Sequence, residues 1–345
     1  MPVRRELGLL VIRVVRALLG ASSLPRELGV SAEVLAKALA KLRLHIAFYR
    51  LRLNTPPWVH EVKKALEPLV LETGMKWLEL GLVVSRASEA LKRHGVEHVF
   101  FKTFNYSGSV GVDADLLIRP EDYVKALKAL TSYGFKLVDD PRKRYATGLA
   151  LPGNPVVLDL HTDLAVLGAR YVNPDILLRN RVLMLWGGLK VYVARSQADV
   201  VVRAVNAVVK EGAITLHDIY ETVCAFRSRP KGLAELAERY GVGEFLRAVL
   251  DVAFTVSKCV QVGSEARKLR HNGVSRAIAG HVIKKLREGV LTPYIPLNLQ
   301  VLALLNATNK HERPVEVVLR ATRSLKYSRN TQHLARKVLL RALTP

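Results

Sequence analysis

The sequence predicts an α+β fold in which a small mixed β-sheet is flanked by an N-terminal and a C-terminal all-helical region. From residue 1 to about 95, apolar residues recur at the spacing of a helix face, as at Leu35, Leu39 and Leu42. Short β-branched and aromatic runs, each close to Gly, Pro or Asn, then predict strands at 98–101, 114–118 and 156–160. Helical patterns return after residue 195.

Four segments follow from these changes of pattern. The chain has 345 residues, enough for two or three domains at roughly 100–200 residues per domain. We predict an N-terminal helical region at 1–95, an α/β region at 96–195, a helical domain packed on it at 196–250 and a basic helical C-terminal region at 251–345.

Local signals predict individual elements. Pro120 and Gly134 mark the start and the end of one helix, and the segment 152–155 (Pro-Gly-Asn-Pro) predicts a hairpin turn. Pro68 is expected to kink or restart the helix in which it falls. Two pairs have the form of a helix-capping box, Ser196 with Asp199 and Thr215 with Asp218.

Composition excludes several classes of protein. Half of the residues are hydrophobic and 24% are charged, which excludes intrinsic disorder as the main state. The two cysteines, Cys224 and Cys259, exclude a disulfide scaffold and fit a reducing cytoplasm. No uncharged apolar stretch approaches the roughly 18 residues of a membrane span. We therefore expect a cytoplasmic protein without a membrane partner.

The net charge of +23 favours a polyanionic partner. Residues 251–345 carry 17 Lys and Arg against 5 Asp and Glu. Such cations give salt-dependent affinity for a phosphate backbone, and we expect RNA rather than DNA. Solvated helix faces are the alternative. The residues predicted to contact nucleic acid are Arg320, Arg323, Lys326, Arg329, Arg336 and Lys337.

Two carboxylates alternate on the second predicted strand. Residues i and i+2 of a strand point to the same face, so Asp113 and Asp115 stand side by side. Close carboxylates repel unless a divalent cation such as Mg²⁺ or Mn²⁺ lies between them. A solvated strand edge would also explain the pair.

The third predicted strand repeats this alternation at Asp159, His161 and Asp163. If the two strands are neighbours, these side chains share a face with Asp113 and Asp115. Three carboxylates on adjacent strands suit two-metal phosphoryl transfer, in which one cation activates a hydroxyl and the other holds the triphosphate. Alternatively, Asp163 ends the strand and His161 is a hydrogen-bonded histidine at the edge of the core.

These motifs follow one another in a fixed order along residues 95–230. The segments are Phe101-Lys102-Thr103, 106–111, Asp113 to Ile118, Pro120-Glu121-Asp122, Leu158 to Thr162, Ser196 to Asp199 and Ile214 to Asp218. In this order they resemble a largely uncharacterised family of archaeal proteins in the nucleotidyltransferase superfamily. The resemblance implies a minimal polymerase-β-like palm in which Asp113, Asp115 and Asp159 are catalytic metal ligands.

The resemblance also implies a nucleoside triphosphate as substrate, but one motif departs from the pattern. In the wider superfamily a Gly-Ser pair opens a helix well before the first aspartate and grips the triphosphate. Here Gly108-Ser109 ends only four residues before Asp113. Either Lys102 and Ser107 join Gly108 and Ser109 in a shortened phosphate-binding loop, or nucleotide binding is altered or lost. Lys102 is otherwise a solvated lysine at a strand end.

The sequence leaves several functions open. The first is an enzyme that moves a nucleotidyl group from a nucleoside triphosphate to a hydroxyl of RNA, protein or a small molecule. The second is a catalytically degenerate nucleic-acid-binding or adaptor protein on the same scaffold. The third is a member of a toxin and antitoxin pair, with a protein partner. His217 and Asp218 are either residues of the cleft wall or part of a helix cap.

Overall fold

The computed structural model describes residues 2–51, 55–138, 146–166, 169–186, 188–228 and 232–309. Within these ranges the fold is α+β, with helices flanking a mixed sheet, as the sequence predicts. The predicted nucleic-acid contacts Arg320, Arg323, Lys326, Arg329, Arg336 and Lys337 lie outside the described residues.

Helices precede the sheet, as predicted. They are α1 (Pro2–Leu18), α2 (Ala32–Lys41), α3 (His45–Tyr49) and α4 (Trp58–Arg93). Of the two outcomes expected at Pro68, a kink or a restart, the restart does not occur, because α4 continues through this proline. Leu66 before it and Leu80 after it are fully buried, and this packing outweighs the one backbone hydrogen bond that a proline removes.

The described residues of the central region form nine strands and two helices. In chain order they are β1 (His98–Phe101), β2 (Asp113–Ile118), α5 (Tyr123–Ser132), β3 (Lys136–Leu137), β4 (Ala146–Ala150), β5 (Val157–His161), β6 (Leu164–Val166), β7 (Ala169–Val172), α6 (Asp175–Leu178), β8 (Arg181–Trp186) and β9 (Leu189–Ala194). A 3-10 turn, Pro120–Asp122, precedes α5, so the helix predicted after Pro120 is confirmed in two parts.

Seven of these strands form one sheet in the order β3-β4-β5-β2-β1-β9-β8. β2 is parallel to β5 and β1 is parallel to β9, whereas the other neighbours are antiparallel, so the predicted mixed sheet is confirmed. The predicted turn at 152–155 joins β4 to β5. The pair β6-β7 forms a separate two-stranded sheet.

The two faces of the large sheet differ in chemistry. Leu116 and Leu160 point to a largely apolar face, where they pack under α5 and the C-terminal half of α4. Leu117 points to the opposite face, in a second core built mainly by the flanking helices. Because side chains alternate along a strand, Asp115 lies on that second face as well. The helical core therefore covers the face that carries the acidic motif.

The remaining helices follow the sheet. They are α7 (Ser196–Val205), a π-helical turn (Asn206–Glu211), α8 (Leu216–Ser228), α9 (Leu233–Arg239), α10 (Gly243–Ser257), α11 (Val260–Lys268), α12 (Gly273–Arg287) and α13 (Leu297–Asn309). α10 spans the predicted boundary at residue 250. Along the stretches described, we find no helix with the length and apolar character needed to cross a membrane.

Only one of the two predicted capping boxes forms. The Thr215 N–H donates to Asp218 Oδ2 at 2.8 Å, and the Asp218 N–H donates to Thr215 Oγ1 at 3.2 Å. The box predicted for Ser196 and Asp199 is wrong, since no side chain caps α7. Asp199 instead contacts a residue at the end of β1, as described below.

A buried histidine ties β1 to its neighbours. His98 is 1% exposed, its Nδ1–H donates to the Val96 carbonyl at 2.9 Å, and its ring meets those of Phe100 and Tyr192 edge-on. Burial lowers the pKa of His98 from 6.5 to about 4. Between these two values the unfolded chain binds a proton that the folded chain excludes, so stability falls as the pH falls.

We expect His98→Gln to reduce the slope of the unfolding free energy against pH. Between pH 6.5 and 4, the slope should fall by roughly 1 kcal/mol per pH unit, because a glutamine does not titrate. Urea denaturation at several pH values measures it. The exposed His94 provides the control, since His94→Gln should leave the slope unchanged. An unchanged slope in the His98 variant would contradict this role.

Candidate metal centre

The pairing of β2 with β5 brings the two acidic motifs together. The strands are parallel, and Asp115 lies directly opposite Asp159. One step further, Leu116 lies opposite Leu160, and both are fully buried in the apolar core. The apolar residues thus fix the register, and the carboxylates that alternate with them share the other face.

The described residues contain one cluster with the geometry of a metal centre. Ligand atoms of Asp115, Asp159 and His161 lie within 4.8 Å of one another. The sequence predicted Asp113, Asp115 and Asp159 as the ligands. Asp113 lies outside the cluster, opposite Val157, and His161 contributes the third ligand atom instead. His161 is 7% exposed, at the end of β5.

Asp115 contacts two basic groups, one through each of its carboxylate oxygens. His161 Nε2 lies 2.9 Å from Oδ1, and Lys102 Nζ lies 3.1 Å from Oδ2. Burial alone would raise the pKa of Asp115, but the Lys102 ammonium and the His161 hydrogen bond outweigh it and hold the pKa well below 3.8. Asp115 is therefore an anion across the physiological range.

The other two carboxylates are shifted in the opposite direction. Burial raises the pKa of Asp113, and the negative charge of Asp115 raises it further. Burial also raises the pKa of Asp159, against the opposing effect of His161. Repulsion from Asp115 and Asp113 adds to this rise. The carboxylates of the pocket therefore repel one another, and a divalent cation would reduce this repulsion.

Further cations act on this pocket from the helices. Lys210, in the π-helical turn, lowers the pKa of Asp113, Asp115 and Asp159. The exposed Arg43, between α2 and α3, lowers the pKa of Asp113. The positive potential beside the carboxylates is thus supplied by helical segments that precede and follow the sheet along the chain.

A chain of polar contacts anchors Lys102 at the end of β1. Its backbone N–H donates to Asp199 Oδ1 at 2.6 Å, and Asp199 Oδ2 accepts from Arg203 Nε at 2.6 Å. Arg203 Nη1 then donates to Asn105 Oδ1 at 2.9 Å. Lys102 has a φ of +53°, a left-handed conformation that is costly for a residue with a Cβ. The contact with Asp199 holds that conformation in place.

The loop predicted to bind phosphate is closed by a side chain of α8. The N–H groups of Tyr106 and Ser107 donate to the Glu221 carboxylate at 2.7 and 2.8 Å. The Ser107 and Ser109 hydroxyls are buried, 3.0 Å apart and each 3.3 Å from His217 Nε2. Glu221 therefore occupies backbone donors that a phosphate would need.

Gly108 completes this loop under a steric constraint. It has a φ of +76°, and a Cβ there would come within 2.8 Å of Ile46 and 2.9 Å of Arg50. Its carbonyl accepts a hydrogen bond from Trp77 Nε1 at 2.9 Å. Only glycine fits both the backbone conformation and the close approach of α3. Gly108 thus has a packing role whether or not phosphate binds.

The remaining candidates have structural partners. Asp163 pairs with Arg170 Nε at 2.8 Å and lies outside the metal cluster. His217 is buried against the two serines, and burial together with Arg203 lowers its pKa to about 3. Asp218 caps α8 through Thr215. Asp218 therefore has the predicted role of a helix cap. His217 is instead a buried, neutral imidazole.

Sequence reasoning missed the residues that support the site from the helices. The sequence does not single out Arg203, Lys210 and Glu221, because each acts on a residue about a hundred positions away, namely Asn105, Asp115 and Tyr106. A local signal existed for Glu221, since a glutamate within an apolar run of α8 needs buried partners. No such signal marks Lys210.

The donor set fits a divalent cation. Two carboxylates and an imidazole, with ligand atoms within 4.8 Å, offer the oxygen and nitrogen donors that divalent metals bind in proteins. Asp115 is already engaged within the protein, because its carboxylate contacts both His161 and Lys102. A cation that binds here must therefore compete with at least one of these two contacts.

Comparisons with known proteins add a weak structural likeness. No protein-family model and no curated protein sequence matches the chain. The chain is similar to the crystal structure of an antigenic nucleotidyltransferase-like protein from Paracoccidioides brasiliensis, over 57% of this chain and 96% of that one. The two are 19% identical, with a TM-score of 0.40. At this level of similarity, function has to be argued from the site itself.

The two aspartates of β2 should respond differently to loss of charge. Asp113→Asn relieves repulsion from Asp115, so we expect an unchanged or slightly higher free energy of unfolding. Asp115→Asn leaves the partly buried Lys102 ammonium without its counter-charge, so we expect a loss of about 2 kcal/mol. Urea denaturation at pH 7 with a chelator measures both. Equal effects of the two substitutions would contradict this assignment.

Proposed function

We propose that the protein is a metal-dependent nucleotidyltransferase that moves a nucleotidyl group from a nucleoside triphosphate to a hydroxyl, with pyrophosphate as the leaving group. The observation that carries the proposal is the register of β2 against β5, which sets Asp115 opposite Asp159 next to His161 and Lys102. Two neighbouring strands with alternating carboxylates on a polar face match the palm that the motif order implies. The proposal also assigns the protein to the cytoplasm, where nucleoside triphosphates are available.

The proposed metal is Mg²⁺ or Mn²⁺, held by Asp115, Asp159 and His161, with Asp113 as an additional carboxylate nearby. When bound, such a cation lowers the pKa of the attacking hydroxyl and neutralises charge on the triphosphate. Asp115 suits the role of permanent ligand, because its pKa lies well below the usual range and it stays ionised.

We assign proton transfer to Asp159. In the metal-free protein burial raises the pKa of its carboxyl, and the proposed cation would offset this rise and hold the carboxylate ionised, as a general base requires. Unlike Asp115, which is 8% exposed, it is only partly buried, so an acceptor hydroxyl can approach it. Asp159 thus differs from Asp115 in both its environment and its proposed task.

We assign triphosphate binding to Lys210 and Arg43. Lys210 lowers the pKa of all three carboxylates and Arg43 lowers that of Asp113, so both add positive charge that favours an anion in this pocket. The predicted contacts from Ser107, Gly108 and Ser109 would require Glu221 to leave the loop. The open cations need no such rearrangement.

For the acceptor we propose RNA. Exposed cations near the ends of α11 and α12 supply sequence-independent contacts with a phosphate backbone. They are Arg267, Lys268, Arg270, Lys284 and Arg287. Lys268 is partly neutralised by Glu265, whereas Arg267 lies beside it without that ion pair. Protein and small-molecule hydroxyls are the other acceptor classes, and the same assay distinguishes them.

Incubation with Mg²⁺ or Mn²⁺, each labelled nucleoside triphosphate and total RNA should give labelled product. We expect Asp115→Asn and Asp159→Asn each to reduce incorporation at least a hundredfold, because each removes a metal ligand or the base. Glu121→Gln is the matched control, an exposed acid before α5 that should retain full activity. Incorporation that survives Asp115→Asn would refute the proposed site.

A second candidate function is a non-catalytic nucleic-acid-binding protein. The specific observation in its favour is that Glu221 occupies the Tyr106 and Ser107 amides, which closes the loop to phosphate. RNA binding by such a protein would survive chelation of metal and fall steeply with salt. Filter binding with and without chelator measures both. No incorporation with any nucleotide, together with chelator-resistant binding, would favour this candidate.

A further inference from the structure

Lys102, at the end of β1, places a positive charge in contact with Asp115 of β2. Its ammonium is 3.1 Å from Asp115 Oδ2, and it lowers the pKa of Asp113 as well as that of Asp115. His161 takes the other oxygen of Asp115. One carboxylate oxygen of Asp115 therefore contacts the fixed charge of Lys102. The other oxygen contacts His161, a member of the metal cluster.

The position of the ammonium is fixed at several points. The Lys102 side chain is only 16% exposed, and its Nζ lies 5.0 Å from the centre of the Phe101 ring. Its backbone is held in a left-handed conformation by Asp199. A lysine that served only as a solvated strand end would need none of these contacts. The strain at this residue is maintained by an anchor on α7, which indicates a positional role.

Charge decides how many divalent cations the pocket accepts. Asp113, Asp115 and Asp159 supply the carboxylates, and Lys102 already offsets one negative charge at a contact distance. A single divalent ion at Asp115, Asp159 and His161 balances the other two. A second divalent ion beside Asp115 Oδ2 would meet the ammonium directly and be repelled by it.

We propose that Lys102 substitutes for one of the two metal ions of a two-metal site, so that the centre binds a single divalent cation. This inference rests on the proposed function, because it specifies how the same carboxylates are neutralised. Lys102 is then a charge-balancing residue of the metal centre rather than a phosphate ligand. Its contact with Oδ2 holds the Asp115 carboxylate in place before the divalent ion binds.

The test counts Mn²⁺ ions bound to the full-length chain by calorimetric titration and electron paramagnetic resonance. We expect one Mn²⁺ per wild-type chain and an isolated-ion spectrum. Lys102→Met should bind two, with the spectral broadening of neighbouring Mn²⁺ ions and at least tenfold tighter binding of the first. Lys102→Arg, which keeps the charge, should bind one. Circular dichroism confirms that each variant is folded, and Lys102→Gln replaces the methionine variant if that one is not.

The possible outcomes separate the proposed role of Lys102 from the proposed transferase activity. Two ions in the wild type, or one ion with unchanged affinity in both uncharged Lys102 variants, would overturn the role of Lys102. One ion in the wild type and two in Lys102→Met, without nucleotide incorporation, would support that role and overturn the transferase activity. No Mn²⁺ binding by the wild type would overturn both.

Discussion

The parallel pairing of β2 with β5 brings together the three side chains of the metal cluster. Asp115 meets Asp159 only because Leu116 and Leu160 are held one position further along in the apolar core. A slip of one residue would turn Asp159 into that core and replace it on the polar face with a leucine. The buried leucines thus specify the chemistry of the site, although none of them contacts a ligand there.

Such a site carries an electrostatic cost, which the surrounding helices offset. Burial and mutual repulsion raise the pKa of Asp113 and Asp159, whereas Lys102 and His161 hold Asp115 ionised. The position of Lys102 depends in turn on Asp199 of α7. The sheet supplies the negative charge and the helices supply the groups that hold its cations in place.

Short-range patterns predicted the sheet and its acidic face well. The alternation at Asp113 and Asp115 was enough to predict which side chains share a face of one strand, because strand parity is local. That this face is shared with Asp159 depends on the pairing of β2 with β5, which parity does not give. Parity could not decide that His161 rather than Asp113 joins the cluster, since this depends on strand register. The contacts of Asp199 and Glu221 join residues about a hundred positions apart. Helical periodicity predicts where α7 and α8 form but not which loop they meet.

Crystals of the protein soaked in Mn²⁺ and measured at the manganese absorption edge would show directly whether one divalent cation binds at the cluster. We expect one anomalous peak per chain, bounded by the side chains of Asp115, Asp159 and His161, with Lys102 still in contact with the far oxygen of Asp115. A peak elsewhere, or none at a concentration that saturates binding in solution, would contradict it.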